Sequence, residues 1–256
     1  MTVTAPPTVA RDRIVAALCT ALELRSDVLA GWEGGSAAFG VLDAYSDIDL
    51  NFLVTDDTSL EALYACAEHC LAAISPVVAS HPVPPGRYYK LKDVDEFLLI
   101  DLCLFRVSAA EHNLEPERHG LPVPLFDKGS WLKPRVVDEQ ALALKRQQRV
   151  EDLRSWFLIS QSFVRKAILR GKQVEAIAAS WTYTLRPLAE LLRMRYCPLR
   201  WDFGVRYIDR DLPADIYNRF CDLAVVVDLE DLDRKLAHAT AWGGSLLGEL
   251  RVAHAG

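Results

Sequence analysis

The sequence predicts an α/β (α+β) protein in two parts. A small mixed sheet with helices is expected over residues 1–138, and an α-helical bundle over residues 139–256. Two observations predict this division. Long apolar runs of strand character, residues 46–54 and 96–107, occur only in the first half. From about Glu139 the strand signals stop and apolar residues recur at helical spacing.

The elements follow in order. Residues 9–24 read as a helix, with Val15, Leu18 and Leu22 on one face. Residues 31–35 carry three glycines and read as a turn. A strand over 46–54 comes next. Thr58 and Glu61 have the spacing of a capping box, which opens a helix burying Leu60, Leu63, Tyr64, Ala67, Leu71 and Ile74. Pro76 bounds that helix. The proline-dense stretch 81–86 reads as a loop, since neither helix nor inner strand accepts such density. Short strand 87–92 and strand 96–107 complete the sheet. Residues 111–135, rich in Pro, Gly and charge, read as a connector.

In the second half a helix over 141–169 buries Leu153, Phe157, Val164 and Ile168. A second, over 173–195, carries Val174, Ile177, Trp181, Leu185, Leu188 and Leu192 on its stripe, with a kink expected at Pro187. Helices over 213–227 and 229–250 close the bundle; Pro213 sits where a first turn tolerates proline.

Composition bounds the function. With 51% hydrophobic and 25% charged residues, the chain is an ordinary globular mix. Its apolar runs are far shorter than the roughly 18 residues of a membrane span. The N-terminus lacks a basic patch followed by an apolar core, so no secretion signal is read there. The six cysteines form no CxxC pair. Cys66 and Cys70 share a helix face without a second pair, which fits small core residues better than zinc ligands. A reducing cytoplasm is the expected compartment. A net charge of −6 argues against a general nucleic-acid binder and suits a cationic small substrate.

Chemistry concentrates in one stretch. Gly34, Gly35 and Ser36 form a side-chain-poor bend, and Asp47, Asp49 and Asn51 follow with period two inside an apolar run. On a strand these three share one face, while Ile48, Leu50, Phe52 and Val54 share the other. Two such carboxylates repel unless a cation lies between them, and hard oxygen donors suit Mg²⁺. Backbone N–H groups at the bend suit phosphate oxygens. Asp101 is a lone charge inside the apolar run 97–105, so it is expected to be paired, neutralised or metal-bound.

Gly35 and Ser36, followed by Asp47, Ile48, Asp49 and Leu50, resemble the signature of the nucleotidyltransferase superfamily with the polymerase-beta-like fold. A sheet followed by a helical domain resembles its antibiotic nucleotidyltransferases, which act on aminoglycosides and lincosamides. One departure is that Ala37 and Ala38 follow the Gly-Ser pair, where many members place Arg. The resemblance implies transfer of a nucleoside monophosphate, AMP from ATP being expected, to a hydroxyl of a small cationic acceptor, with release of pyrophosphate. It implies Mg²⁺ held by Asp47, Asp49 and Asp101. Asp101 is then a base or a second-metal ligand, with Glu33 and Glu96 as lesser base candidates. Gly35 and Ser36 would grip the triphosphate, aided by cations from Arg165, Lys166 and Lys172. Arg200, Arg206 and Arg210, interleaved with Trp201, Phe203 and Tyr207, could stack on a base or pack a junction. Two other readings stand beside this one: a nucleotidyltransferase acting on a protein or RNA acceptor, and a silent nucleotide-binding module. Neither the acceptor nor the oligomeric state is legible in the sequence.

Overall fold

The computed structural model describes residues 8–109 and 112–252. The N-terminal segment read above for a leader lies mostly outside them, as does residue 111, where the connector was expected to begin. The chain divides into two compact units, with the boundary between Val137 and Asp138.

The first unit is a six-stranded mixed sheet with helices, as the sequence predicts. In chain order it contains α1 (Thr8–Glu23), β1 (Val28–Glu33), α2 (Gly35–Ala38), β2 (Ile48–Val54) and α3 (Leu60–Ala72). There follow β3 (Val77–Val83), β4 (Gly86–Leu91), β5 (Ile100–Arg106), α4 (Pro116–His119) and β6 (Val123–Asp127). The strand order is β3-β4-β5-β2-β1-β6. Only the central β2–β5 pair is parallel; the others are antiparallel.

Period-two alternation decides what each sheet face does. Ile48, Leu50, Phe52 and Val54 of β2 join Ile100 and Leu102 of β5 in one core, against Ile14, Leu18 and Leu22 of α1 and Leu63, Ala67 and Leu71 of α3. Each such side chain contributes roughly 1.5–3 kcal/mol on burial. On the opposite face a smaller cluster of Trp32, Leu53, Phe105 and Leu114 covers the C-terminal halves of β2 and β5. Their N-terminal halves carry the acidic residues on that face.

Several expectations need correction. The turn read at 31–35 belongs in part to strand β1, which runs through Gly31. A Cβ there would meet the rings of Phe126 and Phe52 at 2.8 Å, so the residue is glycine to let two aromatics close over the strand. The first half of the loop read at 81–86 is the end of β3, which accepts Pro82 because it is an edge strand. The connector holds α4 and β6, which completes the sheet beside β1. The helix cap falls one residue later than Thr58: Ser59 Oγ accepts from the Ala62 N–H at 3.3 Å. Glu61 instead pairs with Arg87 across 3.3 Å. The Asp101 strand begins at Ile100, four residues after Glu96.

The second unit is helical. It comprises α5 (Glu139–Leu169), α6 (Gln173–Ser180), a π turn (Trp181–Leu185), α7 (Arg186–Tyr196), α8 (Ile208–Asp211), α9 (Ala214–Ala224) and α10 (Leu229–Val252). Phe157, Leu188, Leu192, Phe220 and Leu246 form its main core. Val174 and Trp181 are 83% and 38% exposed, so the expected stripe is narrower than the spacing suggested. The disruption expected at Pro187 takes the form of the π turn. Proline has no N–H to give the carbonyl four residues back, which is that of Tyr183. Gln161 Nε2 supplies that bond instead at 2.9 Å, and its Oε1 accepts from Thr184 Oγ1 at 2.6 Å. No described helix is long and apolar enough to cross a membrane.

Candidate active site

Asp49 and Asp101 are register partners on the parallel strands β2 and β5. Both therefore lie on the sheet face opposite the main core, and both are partly exposed. Adjacent strands are about 4.8 Å apart, so the two residues are neighbours. Carboxylates about 5 Å apart repel by roughly 3 kcal/mol at an effective dielectric near 20. The arrangement favours a cation or a shared proton between them.

The Gly-Ser bend is built against Asp49. The Gly34 N–H donates to the Asp49 carbonyl at 2.9 Å, tying the bend to β2. Gly35 has φ +51°. A Cβ on it would lie 1.8 Å from Asp49 Oδ2 and 2.4 Å from Cγ, so the carboxylate rests directly on the glycine backbone. Helix α2 starts here, with Ala38 N–H donating to Gly34 O and Phe39 N–H to Gly35 O, both at 3.2 Å. Its first-turn N–H groups have no carbonyl one turn back within the helix. From below, the Leu121 N–H donates to Ala38 O at 3.0 Å and anchors the short helix.

Asp47 lies just ahead of β2, at the end of a structured loop. Asp43 Oδ1 accepts from the Tyr45 N–H and from Ser46 Oγ, both at 2.9 Å. Tyr45 meets Phe97 edge-on at 5.4 Å, linking that loop to the approach to β5. Among the described residues no three His, Cys, Asp or Glu side chains lie close enough to hold a metal ion between them. Mg²⁺ characteristically takes only one or two carboxylates and completes its shell with other oxygen donors, so the donor set of the register pair suits that ion.

Sequence reasoning missed two neighbours of Asp101. Cys103 follows it by two, and its thiol donates to Asp101 Oδ1 at 3.6 Å. Gly86 is the register partner of Cys103, and a Cβ there would lie 2.7 Å from Cys103 Sγ and 3.1 Å from Asp101 Oδ1. The period-two rule could have found Cys103; nothing local marks Gly86. Burial, then the nearby Asp101 charge, push the Cys103 thiol far above its ordinary range. It stays protonated at neutral pH and acts as a donor, not as a thiolate ligand. Alkylation by iodoacetamide at pH 8 is expected to spare Cys103 at least a hundredfold relative to a free thiol. Peptide mass mapping checks this, and labelling of Cys103 at the free-thiol rate would refute it.

The lesser base candidates have other surroundings. Glu33 is register partner to Leu50, on the opposite sheet face, and it is ion-paired with Arg11 of α1. Burial holds the Arg11 guanidinium below its usual range, against the opposing pull of Asp12 and Asp49. Arg11 is therefore a cation near Asp49 that no sequence motif announced. Glu96 is exposed, and its carbonyl accepts from Lys90 Nζ.

Two of the three cations expected from the second half have ion-pair partners in their own unit. Arg165 pairs with Asp233 at 3.3 Å and Lys172 with Glu175 at 3.2 Å, while Lys166 lies in the last turn of α5. Glu190 accepts from Arg149 at 2.7 Å. Arg200 pairs with Asp211, and Arg206 and Arg210 lie over the Tyr207 ring at 5.0 and 5.6 Å. Trp201 packs against the helical core.

The sequence matches no protein-family model, and no curated protein matches it. Among solved structures, an aminoglycoside 6-adenyltransferase from Bacillus subtilis is 14% identical, with 93% of this chain and 88% of that one covered and a TM-score of 0.35. A STING-associated CdnE c-di-GMP synthase from Capnocytophaga granulosa is 11% identical, with 96% and 81% covered and a TM-score of 0.29. At these values neither structure assigns a residue role or a substrate, and the roles below rest on the geometry of the site.

Proposed function

We propose that the chain is a nucleotidyltransferase, moving a nucleoside monophosphate from a nucleoside triphosphate to a hydroxyl acceptor. One observation carries the reading: Asp49 and Asp101 stand in register on parallel strands, with the Asp49 carboxylate seated on Gly35 of the Gly-Ser bend. Carboxylates beside open backbone N–H groups form a place for a divalent cation and phosphate oxygens together.

Asp49 and Asp101 would hold Mg²⁺, with Asp47 beside them as a further acidic group. When bound, the ion would neutralise charge developing on the α-phosphoryl oxygens and the departing pyrophosphate. The protein's own part is positional. Gly35 and Ser36 present their N–H groups to the outer phosphates. Asp101, oriented by the Cys103 thiol, takes the proton of the attacking hydroxyl. The new bond joins the acceptor oxygen to the α-phosphorus; the bond to pyrophosphate breaks and pyrophosphate leaves with its electron pair. ATP is the proposed donor, and aminoglycosides and lincosamides both belong in the acceptor panel.

The test is pyrophosphate release from each of the four nucleoside triphosphates with Mg²⁺, across a panel of hydroxyl acceptors that includes both drug classes. Acceptor-dependent release that vanishes in Asp49→Asn is the expected outcome. Metal-dependent nucleotide binding without release, for every acceptor including RNA and protein, would favour a silent binding module instead.

A further inference from the structure

A cavity of about 580 Å³ opens beside Asp101. That volume is in the usual range of small-molecule sites. The β3–β4 hairpin supplies Val83, Pro84 and Pro85 to its wall, α3 supplies Leu60, and β5 supplies Leu104 and Phe105. Asp101 and Cys103 line it as well, followed by Arg106, Ser108 and Asn113.

The hairpin is fixed over the cavity. Tyr64 Oη donates to Pro85 O at 3.0 Å, and the Leu104 N–H donates to the same carbonyl at 3.4 Å. Charge around the cavity is sparse. Among the described residues, Asp101 is the one carboxylate lining it. Arg106, the one lining cation, donates to the Asp56 carbonyl. The Asp56 carboxylate accepts from the Ser108 N–H at 3.0 Å and is exposed.

We infer that this cavity is the acceptor subsite, and that it takes a hydroxyl compound with an apolar body and at most one positive charge. The inference rests on the transfer reading above and narrows its acceptor. A hydroxyl placed at Asp101 leaves the rest of the acceptor against proline, valine and leucine side chains. These reward loss of apolar area from water and give ammonium groups no partner. A polycationic amino sugar would bring several charges to a wall whose described residues offer a single carboxylate, and that carboxylate is needed for the proton of the attacking hydroxyl. The cationic acceptor expected from overall charge is narrowed here to one with at most one positive charge.

Titration of methyl-labelled full-length protein tests this, with para-nitrophenyl β-glucoside as the neutral apolar probe and a triammonium amino sugar of similar size as its rival. Saturable shifts of the Leu60, Val83 and Leu104 methyls by the glycoside, with an affinity at least tenfold above that of the amino sugar, are expected. Equal or tighter binding of the amino sugar there would overturn the inference. So would the absence of any shift up to about 10 mM glycoside. The pyrophosphate assay separates this from the transfer reading. Methyl shifts without release, for any nucleotide, would remove the transfer step and leave the cavity's ligand class standing. Release driven by the amino sugar and not by neutral acceptors would keep transfer and remove the inference.

Discussion

Gly35→Ala is expected to abolish turnover almost as completely as Asp49→Asn, while leaving the protein folded. The added Cβ would stand 1.8 Å from Asp49 Oδ2, so the carboxylate must leave its position or the bend must open. Displacement of a reacting group by about 1 Å costs on the order of a hundredfold in rate, and removing the carboxylate's charge is expected to cost on the order of a thousandfold. The stability cost is smaller, roughly 1–2 kcal/mol for an L-residue held at positive φ. Gly40 provides the control. It too has positive φ, +67°, and a Cβ there meets nothing within 4 Å. Gly40→Ala should lose a similar amount of stability and keep its activity. Rates from pyrophosphate release, with denaturation midpoints for all three variants, decide the matter. Equal activity in Gly35→Ala and Gly40→Ala would mean that Asp49 does not act from the position described.

The second large effect lies in the helical unit. Arg193 is fully buried, and its guanidinium organises residues 197–211, which connect α7 to α9. Nε donates to Gly204 O at 2.7 Å, and Nη1 donates to Arg200 O at 3.1 Å and to Asp211 Oδ2 at 2.6 Å. Nη2 donates to Arg206 O. Arg193→Met leaves the Asp211 carboxylate, 2% exposed, with Arg200 as its remaining charged partner, and strips three carbonyls of a donor. Breaking a buried pair from one side costs about 3–5 kcal/mol. Arg193→Lys should recover only part of this, since an ammonium cannot reproduce the fork of donors. Urea denaturation checks both variants. A loss under about 1 kcal/mol for Arg193→Met would contradict the account.

What the sequence made legible follows from the range of the interactions involved. The period-two face of Asp49 and Asn51, the Gly-Ser bend and the isolated charge of Asp101 are local patterns, and they were readable before any fold was known. The register that makes Asp49 and Asp101 neighbours is not local: residues 52 apart in the chain must pair in parallel without a slip. Strands β1, β3 and β6 were hidden for separate reasons. Gly31 weakens the strand signal of β1, Pro82 is tolerated only because β3 ends at an edge, and β6 lies inside a polar, proline-rich stretch. Arg193 belongs to no motif in the sequence, and only tertiary packing reveals it as the centre of a network. The π turn was equally invisible, because the amide that completes it comes from Gln161, 22 residues away from the Tyr183 carbonyl.

The central claim is that Asp49 and Asp101 bind a divalent ion together with a triphosphate. Its most direct test is titration of Mn²⁺ followed by electron paramagnetic resonance, with the α,β-methylene analogues of the four nucleoside triphosphates, in the wild-type protein and in Asp49→Asn and Asp101→Asn. The account predicts that one analogue binds only with the metal, and that each variant loses the protein-bound Mn²⁺ signal while keeping its fold by circular dichroism. Analogue binding of equal strength without metal, or an unchanged bound signal in Asp49→Asn, would contradict it.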